Sequence, residues 1–277
     1  MGSVLAAGRR RLCRGSPARL FALGAALTVG VAITAAAVGW IVTLLAERLG
    51  PLALILEIVA LKATLAARGL ATAAEGVASS LRRGDAAAAR VAVGGHLVSR
   101  PTATLDVPRV ASAAIESVAE NLTDSVLAPL LFYAVLGLPG AAAYRAINTA
   151  DAMFGYREGA LEHFGKAAAR LDDLCNLVPS RFAALLLVLA AGIGGGDARS
   201  AWTSMWREHA RTASPNAGWT MAAMAGALGV RLEKVGHYVL GQGRWPAASD
   251  VSASVRLLGI AAALSAAVSA LIVLLIR

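Results

Sequence analysis

Aromatic residues make up only 5% of this 277-residue chain, and charged residues only 16%. With 57% of residues hydrophobic and a mean hydropathy of +0.65, so little charge excludes an ordinary soluble domain and points to a polytopic membrane protein. Because aromatics are scarce, the apolar mass is Ala, Gly, Leu and Val, which lets helices approach closely in lipid. Cysteine is nearly absent: Cys13 and Cys175 make neither a disulfide framework nor a metal motif. The four histidines, His96, His163, His209 and His237, are scattered and form no HExxH or other metal spacing. Walker A and dinucleotide fingerprints are missing too, so any nucleotide site is not a P-loop. The net charge of +9 invites a nucleic-acid partner. We reject it, because the arginines flank apolar segments, where they orient and anchor a chain in the membrane. Neither an internal repeat nor a low-complexity linker occurs. One membrane-embedded unit over residues 1–277, with a polar core at about 78–256, is the simplest organisation.

What is present is ordered along the chain. Residues 1–19 carry Arg9, Arg10, Arg11, Arg14 and Arg19 with no acid, and residues 20–46 are then 27 positions without charge. That run is too long for a signal-peptide core, and it reads as a transmembrane helix with a cytoplasmic N-terminus. Residues 49–74 are apolar but carry Glu57, Lys62 and Arg68, which suits a helix inside the bundle or along the interface. Leu81-Arg82-Arg83-Gly84-Asp85 reads as a helix end and turn, with a new helix from Ala86. Six arginines from Arg68 to Arg109 place this region on the cytoplasmic side. Residues 125–144 are long enough to span, yet hold Pro129 and a Gly-Leu-Pro-Gly break; of one span or two half-helices, the break favours the second. Residues 182–196 are short for a span, 214–219 form a turn that opens a helix over 221–232, and 257–276 are a clean span. The expected fold is all-α, with four to five membrane-associated apolar segments, some re-entrant.

The polar residues concentrate between 114 and 184. Glu116, Glu120 and Asp124 are four apart and share one helix face, where their mutual repulsion calls for a compensating cation. They read either as a solvated face or as a magnesium site, since hard carboxylate oxygens suit a hard ion. Asn121 and Asn148 are caps or binders of substrate amides, and Asp151 alone would be a cap. Asp172 and Asp173, with Arg170 beside them and Asn176 a turn later, suit a phosphate–metal unit. Arg145, Lys166, Arg170 and Arg181 are the candidate phosphate contacts, although Arg181 at the edge of an apolar run also fits membrane anchoring.

The stretches I-E-S-V-A-E-N-x-x-D, G-x-P-G-A-A-x-Y-R-A-I-N-T, D-A-M-x-G-Y, F-G-x-A-A-A-R-L-D-D-x-x-N and P-x-R over residues 109–184 resemble the CobD/CbiB family of cobalamin biosynthesis. Ser214-Pro215-Asn216-Ala217-Gly218-Trp219 and the A-x-A-G-A-L-G-V after it are similar to that family's second signature. The match is collinear over about 78–256. Two departures stand out. The family's Val-Gly-Arg-Asp reads Val98-Ser99-Arg100-Pro101 here, and family members usually begin with a further apolar segment, so the N-terminus is expected to be truncated or its start misassigned.

The resemblance implies a multi-pass cell-membrane enzyme, adenosylcobinamide-phosphate synthase, with its active site on the cytoplasmic side. It would form an amide between a propionate carboxyl of the corrinoid adenosylcobyric acid and aminopropanol or its O-phosphate, using ATP as co-substrate and Mg2+. Membrane lipid and a complex with other cobalamin-pathway proteins are the further partners expected. Glu116, Glu120, Asp124, Asp172 and Asp173 would hold metal, and Glu116, Glu120, Asp124, Asp151 and Asp173 are the catalytic candidates. Asn121, Arg145, Asn148, Lys166, Arg170, Asn176, Arg181 and Asn216 would bind substrate or phosphate. The alternative is a non-catalytic AmpE-like membrane sensor of the same superfamily.

Overall fold

The computed structural model describes residues 1–276. It is a helical protein with one two-stranded hairpin among the described residues. In chain order the helices are α1 (Gly2–Leu12), α2 (Pro17–Glu47), α3 (Ala53–Lys62), α4 (Ala67–Arg82), α5 (Ala86–His96), α6 (Val107–Leu122), α7 (Ala128–Phe154), α8 (Leu161–Phe164), α9 (Lys166–Gly194), α10 (Ala198–Glu208), α11 (Ala217–Leu228) and α12 (Ala248–Ile276). The antiparallel hairpin β1 (Leu232–Lys234) and β2 (Tyr238–Leu240) lies between α11 and α12 in sequence. Four helical stretches, Pro17–Glu47, Val107–Phe154, Lys166–Gly194 and Ala248–Ile276, are long and apolar enough to cross a membrane. The protein is thus the all-α polytopic membrane type that its composition indicates.

The chain divides into two compact units. The first comprises Met1–Leu65, Ala128–Asn176 and the C-terminal end from Ser269; the second comprises Ala66–Leu127 and Leu177–Val268.

In the first unit α2 sets the geometry. Its buried positions, Leu20, Gly24, Thr28, Ala32, Ala35 and Gly39, recur every three or four residues and form a stripe of mostly small side chains. Ala32 and Ala35 pack on Ala146, Leu20 packs with Ala150 and Phe154, and Gly39 sits against Leu138 and Pro139. Residues 138–154 therefore run antiparallel to α2. A Cβ at Gly39 would lie 2.8 Å from the Leu138 carbonyl, and one at Gly24 would fall onto the Phe164 carbonyl, so both positions admit only glycine without displacement. α7 is broken at Gly137, whose φ of 69° and ψ of −162° are not helical. The break falls in the Gly-Leu-Pro-Gly stretch, where the sequence placed it. Ahead of it, the Tyr133 hydroxyl donates to Glu57 on α3 at 2.8 Å, which accounts for the acid inside that apolar segment.

In the second unit α6 and α11 form the core. Every residue of α6 from Val110 to Ala119 is buried, as is α11 from Gly218 to Ala227. Aspartates start the shorter helices: Asp85 accepts from Ala88 N, Asp106 from Arg109 N and Asp197 from Ser200 N, each taking up a backbone N–H that the helix leaves unsatisfied. The turn at Gly84–Asp85 and the helix from Ala86 fall where expected.

Three expected segments differ. Residues 49–74 are split between α3 and α4. The helix expected over 221–232 spans Ala217–Leu228 instead and stops at Gly229, which is left-handed with φ 60°, so Leu232 begins a strand. Residues 182–196 are not a separate short segment: up to Gly194 they continue the 29-residue helix α9, which passes Pro179 and includes the charged stretch before it. Counting uncharged residues underestimates such a helix, because polar side chains with partners inside the protein do not end it.

The close approaches of α2 give a stability test. Gly39→Val should destabilise the detergent-purified protein by about 1–3 kcal/mol through overpacking. Gly30→Ala, at an exposed position with nothing near the new methyl, should hold or raise the melting temperature. Thermal unfolding of the two variants side by side checks this; equal melting temperatures would remove Gly39 from the packing account.

Candidate active site

The first unit holds its polar residues on two antiparallel helices. Asn148 on α7 faces Asp172 on α9, and Tyr144 faces Asn176, so the pairing steps back one turn on one helix as it advances one turn on the other. Asp172 is buried and accepts on both oxygens, from Asn148 Nδ2 at 3.1 Å and Asn176 Nδ2 at 3.0 Å. Each amide is itself oriented. The Tyr144 hydroxyl donates to Asn176 Oδ1 at 2.9 Å, and Arg145 Nη1 donates to Asn148 Oδ1 at 3.1 Å. With their oxygens so engaged, both amides can offer only N–H to the carboxylate. Tyr144 is held in turn by stacking on Phe132, with ring centroids 5.0 Å apart. The result is a buried carboxylate fixed in direction.

Asp151 and Asp173 are half-buried on the same two helices, while Lys166 and Arg170 are exposed on α9. Lys166 and Arg170 lie one turn apart and form no ion pair with another described residue, so their charge is available to an anion. The expected residues Arg145, Asn148, Asp151, Lys166, Arg170, Asp172, Asp173 and Asn176 therefore all belong to one unit and two neighbouring helices.

The second unit holds two further clusters. Glu116 is buried on α6, and its Oε1 accepts from Ser112 Oγ at 2.6 Å. Its Oε2 accepts from the Tyr238 hydroxyl at 2.7 Å and lies 3.7 Å from Arg100. The cation that the acidic face called for is thus Arg100, from the Val98-Ser99-Arg100-Pro101 segment. Tyr238 stays protonated, because burial first and the Glu116 charge second push its hydroxyl pKa well above the ordinary tyrosine value. The three carboxylates do not form one solvated face: Glu116 is buried, Glu120 is exposed, and Asp124 is half-buried in a π-helical turn, Thr123–Leu127, that interrupts the α-helical phase. Asn121 is committed to that turn, donating to Ser117 O and accepting from Ser125 Oγ. Arg181 and Asn216 form the other cluster. Arg181 Nη1 donates to Asn216 Oδ1 at 2.8 Å and its guanidinium lies 4.9 Å over the Trp219 ring, on which His209 also stacks. The buried Trp219 Nε1–H has no partner among the described residues. Arg181 is thus tied into the protein by specific contacts rather than serving as a plain membrane anchor.

Among the described residues no three of Asp, Glu, His and Cys converge to hold a metal ion. Of the expected metal ligands Glu116, Glu120, Asp124, Asp172 and Asp173, two are buried. The two buried members have oxygens already committed to Ser112, Tyr238 and Arg100, or to two amides.

Sequence reasoning missed Tyr144, Ser112, Arg100, Tyr238 and Trp219. Tyr144 had a visible signal, one turn ahead of Asn148 on the same face. Tyr238 reaches Glu116 from 122 residues away and had none.

The hairpin that carries Tyr238 is clamped to α6. Ser112 Oγ accepts from Glu233 N at 2.8 Å, and the Glu233 carboxylate pairs with Arg231 at 2.6 Å and Arg109 at 3.3 Å. The Arg231 hydrogen bond is the main cause that lowers the Glu233 pKa, with Arg109 adding to it. A depressed acid contributes stability that is present above its unfolded pKa and lost as pH falls through its folded value. Melting temperatures of the wild type should therefore fall as pH drops below the ordinary glutamate range, more steeply than those of Glu233→Gln; parallel acid limbs would show that the clamp carries no linkage.

The family model described as "CobD/Cbib protein" matches residues 1–269. "Cobalamin biosynthesis protein CobD" of Dehalococcoides mccartyi is 46% identical over 188 residues, 68% of this chain and 60% of the relative. "Probable cobalamin biosynthesis protein CobD" of Methanococcus maripaludis is 50% identical over 147 residues, 53% of this chain and 48% of the relative. The protein of the same description from Methanothermobacter thermautotrophicus is 47% identical over 191 residues, 69% and 64% of the two chains. This chain thus spans about half to two thirds of the length of these curated relatives. No solved structure matches it.

Proposed function

Since the chain belongs to the CobD/CbiB family, a family of cobalamin biosynthesis, we propose that it is an amide-forming ligase, adenosylcobinamide-phosphate synthase. It joins the amine of aminopropanol or its O-phosphate to a propionate carboxyl of adenosylcobyric acid, with ATP as co-substrate. The observation that carries the reading is the carboxylate of Asp172 bracketed by two oriented amides, with arginine and lysine on the same two helices.

The chemistry asks for such an arrangement. A carboxylate is a poor acyl donor until its oxygen is made a leaving group, as in an acyl phosphate. An ammonium is no nucleophile until it loses a proton. Asp172 would take that proton, and Asp173 and Asp151 would hold the ammonium beforehand. Lys166, Arg170 and the free N–H groups of Arg145 draw phosphoryl oxygens of ATP or of the amino-alcohol phosphate, stabilising charge as it develops. Magnesium enters with the nucleotide, whose phosphates supply most of its oxygens. In the other unit, Glu116 would hold α6 in register, and Glu120, Asn121 and Asp124 would shape its C-terminal turn. The arginine-rich residues 1–19 support a cytoplasmic N-terminus, and the Lys166 end of α9 would then lie on the same face of the cell membrane. Other cobalamin-pathway proteins would meet it there.

Detergent-purified protein supplied with adenosylcobyric acid, aminopropanol phosphate, ATP and magnesium should yield a corrinoid heavier by the amide-linked substituent, read by mass spectrometry. Asp172→Asn should lower turnover by about 100-fold or more without changing membrane insertion. Tyr144→Phe should cost less, because Asn176 loses its orientation but Asp172 remains. Full turnover by Asp172→Asn would end its role as base; no product from the wild type would favour a non-catalytic AmpE-like sensor.

A further inference from the structure

We propose that the turn between α1 and α2 is a binding site for the phosphate headgroup of an anionic phospholipid. A cavity of about 350 Å3 opens there, lined by Arg11, Leu12, Arg14, Gly15, Arg19 and Leu23. Three of its six lining residues are arginines, and all three are exposed. None has an ion-pair or side-chain hydrogen-bond partner among the described residues. Nor does the neighbouring chain offer one, since residues 1–46 contain no Asp or Glu. With no acid supplied nearby in the chain, an anion from outside would relieve their mutual repulsion.

The cavity walls are fixed rather than loose. Leu5 of α1 is fully buried in a cluster with Leu20, Phe154 and Phe164, and Arg9 Nη1 donates to the Met153 carbonyl at 3.1 Å near the end of α7. Leu12 and Leu23 pack against the same cluster, so the site has an apolar floor under a cationic rim. A phosphodiester flanked by glycerol and acyl carbon matches that combination better than a free phosphate does.

Position decides between the two sources. The cavity lies at the start of α2, a membrane-spanning helix whose outer flank exposes Phe21, Val29 and Ile33. Acyl chains can run down this flank while the headgroup sits among the arginines, at the depth where basic side chains meet lipid phosphates. Gly15, with φ 116°, makes the turn that brings Arg14 round toward Arg19.

The test uses the full chain in neutral detergent, titrated with phosphatidylglycerol or phosphatidylcholine and read by native mass spectrometry. One phosphatidylglycerol should be retained per chain in preference to phosphatidylcholine. The R11Q/R14Q/R19Q variant should lose that preference by about tenfold or more. Arg10→Gln, which removes a charge outside the cavity, should leave it intact, and Arg14→Gln alone serves if the triple variant unfolds. Millimolar glycerol 3-phosphate should not displace the lipid. Equal retention of both lipids, full retention by the cavity variants, or an equal loss in Arg10→Gln would overturn the proposal. Displacement by glycerol phosphate would assign the cavity to a soluble phosphate and overturn the lipid.

Discussion

A carboxylate buried in apolar surroundings survives only if donors are already waiting for it; the first unit buries Asp172 and the second buries Glu116, Glu208 and Asp250, each with donors. For Asp172 the donors are two amides, and the geometry of those amides is set by a tyrosine and an arginine behind them. For Glu116 they are a serine and a tyrosine hydroxyl, with Arg100 in reach. Both arrangements bring together residues that are distant in sequence or belong to separate helices. The helix register around each carboxylate is thereby fixed more tightly than apolar packing alone would fix it, since Ala-on-Ala contacts tolerate sliding and an amide–carboxylate hydrogen bond does not.

That division of labour explains the composition. With few large side chains, the interiors cannot interlock through aromatic or branched knobs. α2 instead uses a stripe of small residues that lets backbones touch, with Gly24 and Gly39 at the tightest points. Contact of this kind supplies dispersion energy but little directional information. The polar clusters supply the direction, and the charged residues that look anomalous in an apolar helix are the ones making it specific. Glu57 is a small instance: as the acid within α3, it finds the Tyr133 hydroxyl.

The sequence made the long apolar spans, the aspartate caps and the Gly-Leu-Pro-Gly break legible because each is a local property of the chain. Asp172 and Asn176 were legible as partners because they sit one helical turn apart. Asn148 and Arg145 entered only as separate candidates, since nothing local says which face of α7 meets which face of α9. Tyr238 lay beyond reach entirely: no local pattern marks its strand, and its link to Glu116 exists only through the hairpin's clamp on α6. The length of α9 was misjudged for a related reason. A charge count treats Asp172 and Asp173 as the outside of the membrane helix, whereas satisfied polar groups can lie within one.

The Val98-Ser99-Arg100-Pro101 segment shows how a departure from a family pattern is read once partners are visible. Loss of an acid and gain of a proline look like damage in the sequence. In the structure the arginine of that segment is the element that matters locally, standing 3.7 Å from Glu116. Proline beside it removes a backbone donor and restricts Arg100 to extended conformations, which stiffens the loop on which the arginine is presented. Ser117 Oγ fixes the same loop from α6 by donating to the Leu97 carbonyl at 2.9 Å. An acid at position 101 would instead place a second negative charge next to the arginine and compete with Glu116 for it. With proline at 101, Glu116 is the acid that stands within ion-pair distance of Arg100.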